Sequence, residues 1–469
     1  MKTRAPAWTL VATSFGLGMA MLDVTAGNVA VPNIQASLDT DLRGLSWVID
    51  GYTLSFASLL LLAGGLADRL GAKRVFIIGL VLFTVASAAC GLAPDAPSLI
   101  VARVLQGTGA ALFMPSSLSI LARAYPDVRR RAQAIGIWSS LTAVAGASGP
   151  LVGGLLVGTL GWRSIFHVNV PIGVAGAALA VWAIPPTPAA ERRSLDLGAQ
   201  LVGAFALAAF TWALIERAPR GWASPAVVAA LLASALGGAA FVALEKRAAQ
   251  PMLPLQLFEN RAFSTIAAGA LLYAAGFFGG FLVLSLYFQR IHGESAALAG
   301  LHITATTVTF GVTSIVAGRL AGRYGPRRPI LAGLGLLAAS AFMLTGLTPH
   351  APFAAVGPVL AVMGFGAALV APPMNAAILA SVPPSHAGAG SGVLNASRQI
   401  GTALGVAVFA SFFHSGPPLA AVHLAMGCAA ILYLASLGVV ALSPRELARQ
   451  ENESRIPVLP LVREDAGGF

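Results

Sequence analysis

The sequence predicts an all-α integral membrane protein of fourteen spanning helices, arranged as two six-helix halves in parallel repeat with two further helices inserted between them. Three observations carry this prediction. Hydrophobic residues make up 57% of the chain and charged residues only 10%, a balance that cannot be arranged as a soluble surface around a core. Apolar runs recur from end to end, each near the ~20 residues that a helix needs to cross a bilayer. Finally, a charged glycine-rich loop, Gly64-Gly65-Leu66-Ala67-Asp68-Arg69-Leu70-Gly71-Ala72-Lys73-Arg74, returns as Gly318-Arg319-Leu320-Ala321-Gly322-Arg323-Tyr324-Gly325-Pro326-Arg327-Arg328.

Lys2 and Arg4 precede the first run, 8–32, which is longer than a signal-peptide core and lacks a small-residue cleavage site, so it reads as a retained helix. Runs 45–65 and 75–93 flank the charged loop and form a hairpin around it. Runs 98–122, 133–157 and 163–184 complete the first half, residues 1–184. The proline-rich connection from Pro185 to Arg193 leads to the inserted pair, 196–216 and 224–244, within residues 185–262. In the second half, 263–442, the runs are 263–289, 297–318, 329–347, 353–378, 389–413 and 419–442. Residues 443–469 are polar and charged and read as a flexible cytoplasmic tail. Run length and the lack of alternation argue against a closed β-barrel.

An amino terminus in the cytoplasm places twenty-two of the 29 Lys and Arg residues inside and five outside, with Arg103 and Arg398 left within spans. That asymmetry supports the orientation and an even number of spans, both termini being cytoplasmic. The net charge of +11 is therefore a topology signal and calls for no nucleic acid. A shift of about 250 residues that aligns the two loops also aligns Gly107-Thr108-Gly109 through Pro115 with Gly364-Phe365-Gly366 through Pro372. Span four thus corresponds to span twelve. An offset of eight spans preserves orientation, as in transporters that bind substrate near the midplane between two halves. Chance recurrence of small residues that let helices pack closely is the competing explanation.

Ionisable groups inside spans are costly and are functional candidates for that reason. Asp23 lies past the middle of span one, where burial disfavours a lone charge and lets a carboxyl alternate between holding a proton and meeting a cation. A polar anchor hydrogen-bonded to a neighbouring helix is the structural alternative. Arg103, with Gln106 three residues on and so on nearly the same face, supplies a cation whose movement toward or away from a carboxylate would capture or release a proton. Its alternative is to snorkel to the outer surface. Asp50 and Glu216, nearer span ends, are further candidates. In the loop, Asp68 ends one helix while Arg69, Gly71 and Arg74 lead into the next. Asp68 could bind a neighbouring helix terminus in only one of two states, as a gate, or the hairpin could merely fix topology. Gly149, Pro150, Gly153 and Gly154 weaken span five locally and allow a close seal, or simple packing. A cavity lining of aromatic and amide groups is offered by Asn28, Gln106, Met114, Trp138, Tyr273, Phe277, Phe278, Phe281, Met374, Asn375, Asn395 and Gln399. It would suit a hydrophobic or amphiphilic compound, although any one aromatic could instead be packing or facing lipid.

These motifs together resemble the major facilitator superfamily, and within it the fourteen-helix drug:proton antiporter branch. Leu22-Asp23-Val24-Thr25 through Pro32 is similar to that branch's span-one motif, Gly65 to Arg74 to the superfamily loop, and Arg103, Gln106, Gly107 and Gly109 to the span-four motif. Gly149-Pro150 and Gly153-Gly154 resemble the antiporter motif of span five, Gly161-Trp162-Arg163 through Pro171 a branch-specific string, and Pro251 to Phe263 the entry into span nine. The chain departs from the pattern at Ala145, in place of a leading glycine, and at Gly322, in place of the second loop's acidic residue.

The resemblance implies a proton-coupled antiporter that exports hydrophobic or amphiphilic drugs, with coupling by Asp23 and Arg103 and gating by Asp68 and the Gly149-Pro150 region. It also implies a monomer in the cytoplasmic membrane, driven by the proton gradient with no cofactor. A facilitator or proton symporter for a small organic solute is the alternative. An enzyme is not expected, because the seven histidines show no HExxH spacing and no phosphate-cradling loop ending in GK[ST] occurs. Cys90 and Cys428 lie in apolar runs and suggest neither a disulfide framework nor a metal site. The preference for arginine over lysine and the abundance of alanine suit a GC-rich bacterial genome.

Overall fold

The computed structural model describes residues 6–40, 42–186, 197–248, 251, 255–294, 296–383, 386–413 and 417–442. The tail expected over 443–469 and most of the proline-rich connection lie outside them. So do the side chains of Asn28, Asp50 and Pro150.

The first half comprises α1 (Pro6–Leu38), α2 (Leu42–Leu70), α3 (Ala72–Leu92), α4 (Ala96–Ala124), α5 (Val128–Leu160), the single turn α6 (Ser164–His167) and α7 (Asn169–Ala183). The inserted pair is α8 (Leu197–Arg220) and α9 (Pro225–Arg247). The second half holds α10 (Arg261–Leu286), α11 (Ala296–Tyr324), α12 (Arg327–Leu344), α13 (Phe353–Ala380), α14 (Ala387–Phe412) and α15 (Pro418–Ala441). Counting α6 and α7 as one interrupted span, these helices coincide with the fourteen apolar runs. Among the described residues, ten are long and apolar enough to cross a membrane, or eleven if the two segments of α2 are taken together. The fourteen expected spans are therefore matched in position but not all in span character. The helices that fall short are α5, α8 and α14. In α14 the polar stretch from Asn395 to Gln399 lowers the apolar character, whereas α5 and α8 are interrupted by residues whose side chains lie outside the described set, with Leu201–Leu214 of α8 a shorter apolar stretch.

Packing in each half has a counterpart in the other. Helix α1 lies against α5 and α7 as α10 lies against α14 and α15. Helix α3 meets α4 and α7 as α12 meets α13 and α15, and α2 meets α4 as α11 meets α13. Contacts between halves are paired as well, α2 with α14 and α5 with α11. The α8–α9 hairpin rests on α2 and touches α14.

Local chemistry sets the helix ends. Asp95 caps α4 by accepting the Ser98 N–H at 2.9 Å in a capping box. Hydrogen bonds from the Ser98 side chain and backbone hold its carboxyl below the usual range. Gly71 takes φ 89°, a left-handed conformation that lets the chain turn from α2 into α3 in one residue. Directly after that turn Lys73 donates to the α7 carbonyl of Val181 at 2.9 Å and to that of Ile184, just past the helix end. Its counterpart Arg327 donates to Ala441 O of α15 at 2.6 Å. Each half thus closes the end of its last helix with the cation of its own loop.

Candidate functional site

Asp23, only 2% exposed, is held from three directions. Arg103 Nη1 of α4 donates to its Oδ2 at 2.6 Å, while Gln106 Nε2 of α4 and Asn169 Nδ2 of α7 donate to Oδ1 at 2.9 and 2.7 Å. The guanidinium also donates from Nε to the α2 carbonyl of Val48 at 3.1 Å and from Nη1 to Gln106 Oε1 at 2.6 Å. It lies over the Tyr52 ring, 4.6 Å from the centroid. Ser87 of α3 accepts from Gln106 Nε2 at 2.7 Å. One network thereby ties α1, α2, α3, α4 and α7 through buried polar atoms. Removing one partner of such a pair strands a charge, at a cost of about 3–5 kcal/mol. Arg103 is buried and paired and does not snorkel.

Sequence reasoning placed Asp23, Arg103 and Gln106 here but gave no role to Asn169, Ser87 or Tyr52. Asn169 stands inside the branch-specific string, and its signal was a buried amide opening a helix after the interrupted α6 turn.

A narrow cleft reaches this network between α1, α2 and α4, lined by Val24, Gly27, Val48, Tyr52, Arg103 and Phe166 among others. About 40 Å³ of it is accessible to water, enough for a few molecules but far below the roughly 300 Å³ of a small-molecule site. The lining residues lie toward the end of the bundle opposite the charged loops.

At the loop end, the basic end, the two halves are joined. Asp68 accepts the N–H groups of Gly388 and Ala389, at 2.8 and 2.7 Å, at the start of α14. Gly64 and Gly388 approach so closely that a Cβ on either would strike the other's carbonyl. In the second copy Gly318 meets Gly136 of α5, and Gly322 lies against the Arg129 backbone. The missing second carboxylate now has a physical account. Helix α14 has no side-chain cap of its own and takes one from Asp68 in the other half, whereas α5 carries its own cap, Asp127, which accepts the Arg130 N–H at 2.8 Å. A carboxylate at 322 would meet a helix end already capped by an acid. Arg69 is buried and Arg74 exposed beside this junction.

Directly beyond Asp23, α5 presses on α1. A Cβ on Gly149 would overlap the Thr25 side chain, and one on Gly153 would crowd Ala26. Gly154 faces open space, so the structure gives it no part in the close approach.

Most of the other candidates lie nearer the basic end, while Phe277 and Phe281, about 24 and 30 Å along α10, reach the depth of Asp23 and beyond. Met114 packs against an apolar cluster of the first half and against a second cluster that crosses between halves, to which Trp138 and Phe277 belong, with Phe281 against it. Tyr273, Phe277 and Phe281 stack along α10 with centroids 5.5 and 4.8 Å apart. Among the described residues, the indole N–H of Trp138 and Oδ1 of Asn375 are buried without a hydrogen-bond partner, a cost of about 1–3 kcal/mol each that a ligand or water could relieve. Asn395 Oδ1 accepts from Arg398 at 2.7 Å. At 1.5 Å per residue, Met114, Trp138, Tyr273 and Asn395 all lie about 12–18 Å along their helices from the basic end, whereas Asp23 lies about 25 Å along α1. Among the described residues no cluster of His, Cys, Asp or Glu could hold a metal ion.

A model of the Major Facilitator Superfamily matches residues 13–294 and again 266–464. The chain belongs to the major facilitator superfamily. It is 41% identical over 406 residues to the methylenomycin A resistance protein of Streptomyces coelicolor, covering 87% of this chain and 85% of that protein. It is 38% identical over 403 residues to the multidrug resistance protein Stp of Mycobacterium tuberculosis (86% and 75%), and 34% identical over 402 residues to the tetracenomycin C resistance and export protein of Streptomyces glaucescens (85% and 74%). The relatives place the chain in the drug-efflux branch of this superfamily of multi-pass membrane transporters. The crystal structure of the human organic anion transporter MFSD10 superposes with a TM-score of 0.69 over 93% of this chain and 99% of that one, at 16% identity, and shows the shared fold.

Proposed function

We propose that this protein exports hydrophobic or amphiphilic compounds, antibiotics among them, across the cytoplasmic membrane in exchange for protons, by alternating access. The observation that carries this reading is the placement of Asp23. Its carboxylate is paired with Arg103 and reached by a water-sized cleft from one end, while Asp68 on α14 joins the halves at the basic end.

A proton entering through that cleft neutralises Asp23 and weakens its hold on Arg103, Gln106 and Asn169. The network that ties α1 to α4 and α7 then loosens. Because Thr25 and Ala26 sit against Gly149 and Gly153, a shift of α1 is passed to α5, and through α5 to α11 of the other half. Opening of the basic end requires Asp68 to release the α14 amides. Cargo is assigned to the level of Met114, Trp138, Tyr273 and Asn375, below that of Asp23, so proton and cargo occupy different sites coupled through α1 and α5. In this reading both termini are cytoplasmic, the working unit is a monomer, Asp50 is a further proton-handling candidate, and the energy source is the proton gradient with no cofactor. A transporter needs no catalytic residue.

The test is uptake of ethidium, chloramphenicol and 1-naphthylacetate into inverted vesicles, with a proton gradient imposed and then collapsed. Gradient-dependent accumulation of at least one compound is expected. Flux that merely equilibrates, indifferent to the gradient, would instead favour a facilitator.

A further inference from the structure

Arg398 sits eleven residues into α14, about 17 Å along it from the basic end, at the level of the cargo candidates. An arginine at that depth is not tolerated against lipid and must face a partner or a water-filled space. Its own half supplies no countercharge within the bundle, since Glu294, beyond the far end of α10, is the only acidic residue between 261 and 442. Carboxylates on the helices packed against α14 are otherwise engaged, with Asp68 on the α14 amides and Glu216 of α8 paired with Arg220 at 2.5 Å. Asp50 of α2 has a side chain outside the described residues. Among those residues the guanidinium makes one hydrogen bond, Nη2 to Asn395 Oδ1, and Asn395 is itself fixed by donating to Ser391 O at 2.9 Å.

Position on the helix aims this cation. Gly401 and Gly405, three and seven residues on and so on the same face, press against the α10 backbone at Leu271 and Ala275. Arg398 is thus rooted beside α10, the helix that carries Tyr273. From Tyr273 the aromatic stack runs on through Phe277 and Phe281.

We propose that Arg398, oriented by Asn395, is an anion-binding subsite between α14 and α10, and that the preferred cargo is an amphiphile carrying a carboxylate on an aromatic body. The acid supplies the countercharge that the second half lacks, through the paired N–H geometry that guanidinium offers a carboxylate, while the body lies along the α10 aromatics. The proposal takes only the cargo class from the export reading.

Binding of 1-naphthylacetate and of the neutral 1-naphthylacetamide to the purified protein, measured by calorimetry without any gradient, tests it apart from proton coupling. The acid is expected to bind about tenfold more tightly than the amide, the scale of one charge-assisted hydrogen bond. Arg398→Gln should erase that preference with amide binding unchanged, which also reports an intact fold, and Arg398→Lys should keep part of it. No preference in the native protein, binding of neither probe, a preference that survives in Arg398→Gln, or equal loss of both probes would overturn the proposal. Loss of gradient-driven transport with the acid preference intact would instead count against the export reading alone.

Discussion

Asp23 and Arg103 were legible as candidates because an ionisable side chain inside an apolar run is costly, and the structure pairs them. Their partners were not. Asn169, Ser87 and Tyr52 are ordinary polar residues along a sequence, and only the meeting of α3, α4 and α7 around α1 turns them into ligands of one carboxylate. The geometry makes a graded expectation. Asn169→Ala removes one of three donors to Asp23 and should lower stability by about 1–3 kcal/mol, read as a reduced unfolding midpoint, with partial loss of transport. Arg103→Ala leaves the carboxylate without its cation and should be the more damaging of the two on both measures. Equal effects of the two changes would mean that the network is not centred on the ion pair.

At the scale of helices, composition and periodic glycines announced that span five is a seam but not which glycines form it. Gly149 and Gly153 are four residues apart and face α1, whereas Gly154 points away, a distinction that depends on helix rotation. Gly149→Ala should therefore cost about 1–3 kcal/mol through overlap with Thr25 and suppress transport, while Gly154→Ala should leave transport intact and change stability by under about 1 kcal/mol. Parallel vesicle assays and unfolding midpoints check both. The Asp68 latch makes its own prediction. Asp68→Asn should speed hydrogen exchange at the Gly388 and Ala389 amides, and adding His386→Asp, which gives α14 a cap of the kind Asp127 gives α5, should slow it again. Unchanged exchange in Asp68→Asn would show that the junction rests on the glycine contact instead.

Over the whole molecule the repeat was the most readable feature, since a shift near 250 residues aligned loops and small-residue motifs before any packing was known. The structure extends it to a neighbour-for-neighbour correspondence, including the paired contacts of α2 with α14 and α5 with α11 between halves. The same symmetry shows where function breaks it. The first half holds a buried acid–base pair open to a water-sized cleft, and the second holds Arg398, which among the described residues has no acid partner. A sequence shows both inventories, but not that they lie at different depths on either side of a seam. Proton movement tests the central claim most directly. In inverted vesicles with an acid interior, the compound best transported in the uptake panel is added while internal pH is followed, for the native protein and for Asp23→Asn. The account predicts substrate-induced proton release in the native protein and none in Asp23→Asn, with binding of that compound retained. Proton release that persists in Asp23→Asn would contradict it.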